Sequence, residues 1–180
     1  MIYQIKVTLK GVTPAIWRRV LLHCDIPLLK LHTILERTMG WAGGHLHQFR
    51  AGSVTFGTTS VESFGPPVVS ERRASVAEAL PGVGSRLTYD YDFGDGWEHT
   101  VVVEKVLDPA PGQKYPVCLA GQRRCPPEDC GGPGGYENLL AALAHPNDPE
   151  HADMEAWVGG SFDPGAFDIA DVNRSLRRLK

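Results

Sequence analysis

The stretch 87-LTYDYDFGDGWEHTVVVE-104 constrains the chain most: two runs of period-two alternation meet at a glycine-flanked aspartate and read as one β-hairpin. A two-residue Asp95-Gly96 loop would set Asp92 opposite His99 and Tyr91 opposite Thr100, mixing polar and apolar side chains on both faces. A three-residue loop Gly94-Asp95-Gly96, with Gly96 left-handed, sorts them. Leu87, Tyr89, Tyr91 and Phe93 then oppose Val103, Val101, His99 and Trp97 on one face, and Asp90, Asp92, Glu98 and Glu104 share the other.

Residues 2–9 and 16–23 alternate in the same way and read as a second hairpin. Pro27 opens a helix whose Leu28, Leu31, Leu35 and Met39 share a face, and Gly40 supplies its stop. Residues 45–52 read as another strand, the turn-rich stretch to about residue 70 shows no regular period, and residues 75–80 form a short helix. Beyond about residue 107 the alternation stops. A Cys/Gly/Pro-rich loop is expected over 108–135, helices over 136–144 and 148–157, and a last helix capped by Asp168 with Ile169, Val172, Leu176 and Leu179 on one stripe. The expected fold is α+β, a mostly antiparallel sheet with one packed amphipathic helix followed by a C-terminal helical portion. It is read as a single domain over 1–180 with parts 1–107, 108–135 and 136–180.

No apolar run approaches the roughly 20 residues of a membrane span, and the N-terminus reads as a strand instead of a signal peptide. The expected location is cytoplasmic, without membrane contact, where four cysteines read as free thiols or metal ligands. A net charge of −3 gives no global attraction to nucleic acid. The doublets Arg18-Arg19, Arg72-Arg73, Arg123-Arg124 and Arg177-Arg178 point their members apart on a strand or helix, so they read as solvated faces, with a phosphate track as the alternative.

Cys118, Cys125 and Cys130, spaced C-x6-C-x4-C, match no paired CxxC knuckle. The prolines and glycines around them reduce the entropy lost in holding thiolates in place, and three thiolates need one further ligand for a closed tetrahedral zinc site. His99, His45 or His47 could complete it, Cys24 less well, and the set carried forward is Cys118, Cys125, Cys130 and His99. The plain alternative is that the cysteines act as small buried apolar residues. His45 and His47 at i and i+2 on a strand share a face with Phe49, where two imidazoles serve as metal ligands, as an acid–base pair, or as hydrogen-bonded core residues. The carboxylate face of the hairpin suits a hard cation or simple solvation. No GxGxxG, P-loop, GxSxG or HExxH pattern occurs.

The blocks 12-VTPAIWRRV-20, 31-LHTILERTMGWAGGHLHQF-49, 89-YDYDFGDGWEHTVVVEKV-106, 115-YPVCLAGQRRCPPEDCGGPGGYENLL-140 and 157-WVGGSFDPGAFDIADVN-173 resemble, nearly end to end, the plasmid pRiA ORF-three-like family, also labelled passenger TnpR proteins of insertion elements. The resemblance implies an α+β fold and an association with plasmids and mobile elements, with no established activity. It places family motifs on His45, His47, Asp92, Asp95, Trp97, His99, Cys118, Cys125 and Cys130, and leaves Cys24 outside. The TnpR label would imply a resolvase, yet the N-terminal strand IYQIKVTL offers no serine nucleophile and no Arg-His-Arg-Tyr grouping is found. The expected function is a non-enzymatic, zinc-stabilised module acting through protein or nucleic-acid contacts. The alternatives are a metal-dependent hydrolase or nuclease using His45, His47, His99, Asp90 and Asp92, and a DNA-binding accessory factor of a transposon.

Overall fold

In a computed structural model, which describes residues 1–58 and 67–179, the alternating stretches join one eight-stranded sheet. The elements in chain order are β1 (Ile2–Leu9), β2 (Trp17–His23), α1 (Leu28–Met39), β3 (His47–Ala51), β4 (Val54–Gly57), β5 (Val68–Ser70), α2 (Val76–Ala79), β6 (Arg86–Tyr91), β7 (Trp97–Leu107), β8 (Val117–Gln122), α3 (Gly132–Ala144), α4 (His151–Trp157) and α5 (Ile169–Leu176). The spatial order is β5-β4-β3-β6-β7-β1-β2-β8, and every neighbouring pair is antiparallel except β4 with β5. The α+β class with a mostly antiparallel sheet is thus as the alternation implies.

One face of the sheet is apolar because alternate residues point to it. Tyr3, Ile5, Val7 and Leu9 of β1, Leu87, Tyr89 and Tyr91 of β6, and Trp97, Val101 and Val103 of β7 are buried there with Leu28, Leu31, Ile34, Leu35 and Met39 of α1. α1 ends at Gly40, whose left-handed φ of 96° lets its N–H bond back to the Glu36 carbonyl. The opposite face carries ion pairs: Arg19 with Glu104 at 2.5 Å, Arg50 with Asp90 at 2.8 Å and with Glu98 at 3.0 Å, and Lys10 with Glu98. These carboxylates are each matched by a cation, so that face is a laced surface and not an acidic one.

Four expectations are corrected. The hairpin register is Leu87↔Val101, Tyr89↔His99 and Tyr91↔Trp97, two residues away from the expected pairing, so residues 92–96 form the loop. A two-residue shift keeps each side chain on its face, which is why His99 still points inward; Phe93, however, leaves the sheet and is 53% exposed. Asp92 also leaves the carboxylate face, since its φ of 54° breaks the strand. β3 begins at His47, so His45 lies in the loop before it. The expected loop over 108–135 contains β8, whose Cys118 pairs with Val20, and α3 starts at Gly132 because Pro133 fits a first turn.

The free edge of β8 is closed by one side chain. Asn173 of α5 accepts from the Cys118 N–H at 2.8 Å and donates to the Cys118 carbonyl at 2.9 Å, imitating a neighbouring strand. Asp168 caps α5 as expected, accepting from the N–H groups of Ala170 and Asp171.

Candidate metal centre

Three loops meet at the end of the sheet where β3 begins and the β6–β7 hairpin turns. Gly43 and Gly44, both left-handed at φ 88° and 109°, bring the chain back from α1 to His45. A side chain at Gly43 would meet only the flexible end of Glu36, Oε1 at 2.7 Å, so it is the left-handed φ that favours glycine there. The Asp92 N–H donates to the Leu46 carbonyl at 2.9 Å and ties the hairpin loop to this segment. Asp92 Oδ1 accepts from the N–H groups of Gly94 at 3.0 Å and Asp95 at 3.3 Å, which leaves Oδ2 turned to His45 Nδ1 at 3.2 Å.

The third loop is the cysteine-bearing segment 125-CPPEDCGGPGGY-136. Trp41 Nε1 donates to the Pro126 carbonyl at 3.1 Å, the Gly131 N–H donates to Asp95 Oδ2 at 3.1 Å, and Gly132 lies so close to the Asp95 carbonyl that a Cβ would sit 2.1 Å from its oxygen. These contacts seat the segment on the hairpin loop. They bring Asp129 Oδ1 to 3.7 Å and Glu128 Oε2 to 3.8 Å from His45 Nε2. Glu128 is oriented by the Tyr91 hydroxyl, which donates to Oε1 at 2.7 Å.

The outcome is a convergence of one imidazole and two carboxylates. Ligand atoms of His45, Asp92 and Asp129 all lie within 4.8 Å of one another. Asp92 and Asp129, at φ 54° and 59°, are two of the three non-glycine residues with left-handed backbone among those described. Such a conformation costs roughly 1 kcal/mol or more and persists where the surroundings over-determine it, as they do at functional sites.

Beside this group lies a cleft of about 450 Å³ lined by His32, His45 and His47, with the exposed side chains of Leu46 and Phe93. His47 Nε2 bonds Glu71 Oε2 at 2.7 Å, and the Thr58 hydroxyl donates to Glu71 Oε1 at 3.0 Å. Burial alone would raise the Glu71 carboxyl, but the hydrogen bond and charge of His47 outweigh it and hold the group below its ordinary range. The His32 and His47 rings stack at 3.4 Å and 3°. His32 Nδ1 lies 2.8 Å from the Tyr89 hydroxyl, whose proton burial holds in place well above its usual range; Nδ1 is therefore the acceptor, and Nε2–H faces Glu36 Oε1 at 3.2 Å. Burial first and then the neighbouring His47 lower His32 to about 4, so it is neutral at pH 7. An imidazole bonded to a carboxylate beside an open cleft is an arrangement used in general acid–base chemistry.

The sequence-derived candidates divide accordingly. His45, His47 and Asp92 lie at or beside the convergence, and Asp95 and Trp97 support it, Asp95 by holding Gly131 and Trp97 from the core beneath Trp41. His99 is fully buried, with Nδ1 3.2 Å from the Tyr89 carbonyl, and burial lowers it to about 4. The Cys118 thiol donates to the Ala120 carbonyl, burial pushes Cys125 far up, and Cys130, half-buried, is pushed up to about 11. Cys118, Cys125, Cys130 and His99 do not form a ligand group of three or more within 4.8 Å among the described residues. The residues that sequence reasoning missed are His32, Glu36, Glu71, Glu128 and Asp129. His32 and Glu36 were open to discovery as an i, i+4 polar pair on an apolar helix. Glu71 carried no such signal.

Nothing in the described residues is a helix long and apolar enough to cross a membrane. The chain is 39% identical over 180 residues to the uncharacterized protein y4hQ of Sinorhizobium fredii, a match covering 99% of this chain and 92% of that one. The crystal structure of a protein of unknown function, MM3350 from Methanosarcina mazei Go1, superposes with a TM-score of 0.87 at 36% identity, covering 94% of this chain and 96% of the other. With the family model for plasmid pRiA4b ORF-3-like protein matching residues 1–171, the chain belongs to that family.

Proposed function

We propose that the protein binds a divalent cation through His45, Asp92 and Asp129 and uses it for hydrolysis in the adjoining cleft. The observation that carries this reading is the convergence of those three side chains within 4.8 Å, two of them on left-handed backbone. One nitrogen and two oxygen donors suit zinc, manganese or magnesium, and three protein ligands leave positions open for water and substrate. A bound ion there would lower the pKa of its water and polarise an ester oxygen. Glu128 stands next to the ligands, and His47 on Glu71 is placed in the same cleft to move a proton. A zinc staple at the cysteines is the weaker reading, because Cys118, Cys125, Cys130 and His99 form no ligand group of three or more within 4.8 Å among the described residues. A resolvase activity draws no support from the residues of this site.

The test is elemental analysis of tag-free protein, after loading with zinc, manganese or magnesium, for the parent, Asp92→Asn and Cys125→Ser chains. One ion per chain, lost in Asp92→Asn and kept in Cys125→Ser, is expected. The reverse pattern would move the metal to the cysteine segment, and no ion in the parent would end the proposal. Metal-dependent cleavage of phosphoesters or nucleic acid that persists in Asp92→Asn would remove the hydrolytic part.

A further inference from the structure

On the other side of Glu128 lies a second concavity of about 510 Å³, between the end of α1, the cysteine-bearing segment and the end of α4. Its walls are stiff: Pro126 and Pro127 fix the backbone, and Trp41 holds the Pro126 carbonyl. Trp157, the last residue of α4, lines it with an indole that is 49% exposed. A half-exposed tryptophan in a concave, preformed wall offers a large flat face at small entropic cost.

The cation of this groove is also pre-set. The Arg124 guanidinium lies 4.4 Å over the Phe162 ring, and Phe162 is itself held edge-on by Tyr136 at 6.3 Å and 78°. The Arg124 N–H donates to the Pro164 carbonyl at 3.1 Å, which fixes the backbone as well. Among the described residues no carboxylate pairs with Arg124, in contrast to Arg19, Arg50 and Arg174, which each have one. A guanidinium held over a ring and paired with no carboxylate has N–H donors to offer a planar or tetrahedral anion.

We propose that this groove binds a small aromatic anion, with the ring against Trp157 and the anionic group on Arg124. Glu128 lines the groove and lies 3.8 Å from His45 Nε2, so one side chain is common to the groove and the surroundings of the metal-ligand group. The further statement that the bound molecule is the substrate, an aromatic phosphoester or a nucleotide, rests on the hydrolase reading; binding in the groove does not. A volume of this order accommodates one such molecule.

The experiment is calorimetric titration of the full chain, followed in parallel by tryptophan fluorescence, with adenosine monophosphate, phenyl phosphate, adenosine and inorganic phosphate. Saturable binding of at least one aromatic phosphate is expected, with adenosine and inorganic phosphate weaker by about tenfold or more, since each lacks one of two anchoring contacts. Adenosine monophosphate alone would mark a nucleotide site, and equal binding of phenyl phosphate a general aryl phosphate site. Arg124→Gln and Trp157→Leu are each expected to weaken binding about tenfold, within the range seen for anchoring Arg and Trp side chains. Both positions are exposed, so the variants keep the core. Inorganic phosphate binding as well as phenyl phosphate, or affinity unchanged in both variants, would overturn the proposal. Asp92→Asn separates the two ideas: binding retained there while metal is lost leaves the groove standing on its own, whereas metal bound by a parent chain that takes no aromatic phosphate removes the groove and spares the metal centre.

Discussion

His99 and His32 are the residues where burial has the clearest thermodynamic consequence. Both are held neutral with folded values near 4, desolvation being the first cause in each. An unfolded chain takes up these protons near the ordinary value of 6.5, so the unfolded state binds more protons between about pH 6.5 and 4. Their contribution is fully present above that window and declines as pH falls through it, by about 1.4 kcal/mol per pH unit for each group at most. The depressed carboxyls Glu71 and Glu98 lose their stabilising effect only below about 4.5, whereas Glu36, raised by burial, holds its proton longer in the folded state and opposes the histidine slope above that value, so over the interval from pH 6.5 to 5 it is the difference between parent and variant that reports His99. Urea denaturation across that interval should show a steep slope in the parent and a shallower one in His99→Gln; equal slopes would show that His99 is not held neutral. The sequence placed His99 on the apolar face correctly, because a register shift of two preserves side-chain parity. It misplaced Asp92, since a residue's departure from a strand into left-handed backbone depends on what its carboxylate meets, here the Gly94 and Asp95 amides and His45.

At the scale of elements, the segment 131-GGPGGY-136 is where local preference and tertiary demand diverge. Glycine and proline read as breakers, yet α3 begins at Gly132 from a left-handed Gly131. The reason is space. A Cβ on Gly135 would lie 1.9 Å from the Cys130 carbonyl oxygen, whereas one on Gly134 would meet nothing within 4 Å. Gly135→Ala is therefore expected to lower stability by roughly 2 kcal/mol or more through forced backbone movement, and Gly134→Ala to raise it by about 0.5–1 kcal/mol through reduced unfolded-state entropy. Thermal denaturation of the two variants gives the comparison, and a Gly134→Ala chain no more stable than Gly135→Ala would contradict the packing. β8 was hidden because VCLAGQ buries only Cys118 and so carries no alternating apolar run; its edge is closed from outside by the Asn173 side chain.

For the molecule as a whole, the proposed ligands come from stretches 47 and 37 residues apart, at 45, 92 and 129, so an ion there would cross-link the sheet end to the C-terminal segment. Loading should raise the melting temperature with metal concentration, by an amount equivalent to about 2.7 kcal/mol at a hundredfold excess over Kd. Asp92→Asn should erase the rise while leaving the metal-free midpoint nearly unchanged, because asparagine tolerates the left-handed backbone and keeps the Oδ1 acceptor for Gly94 and Asp95. A metal-dependent rise of the same size in that variant would place the ion elsewhere. What the sequence determined by itself is the strands β1, β2, β3, β6 and β7, the amphipathic α1 and the inward face of the central hairpin, since periodicity decides which side chains can be buried together. Only the tertiary structure decided that Asp129, from the loop read as a cysteine staple, stands beside His45 and Asp92, and that Glu36 and Glu71 flank the two stacked histidines. Those neighbours are brought together by packing across loops, and polar convergence of that kind leaves no period in the chain.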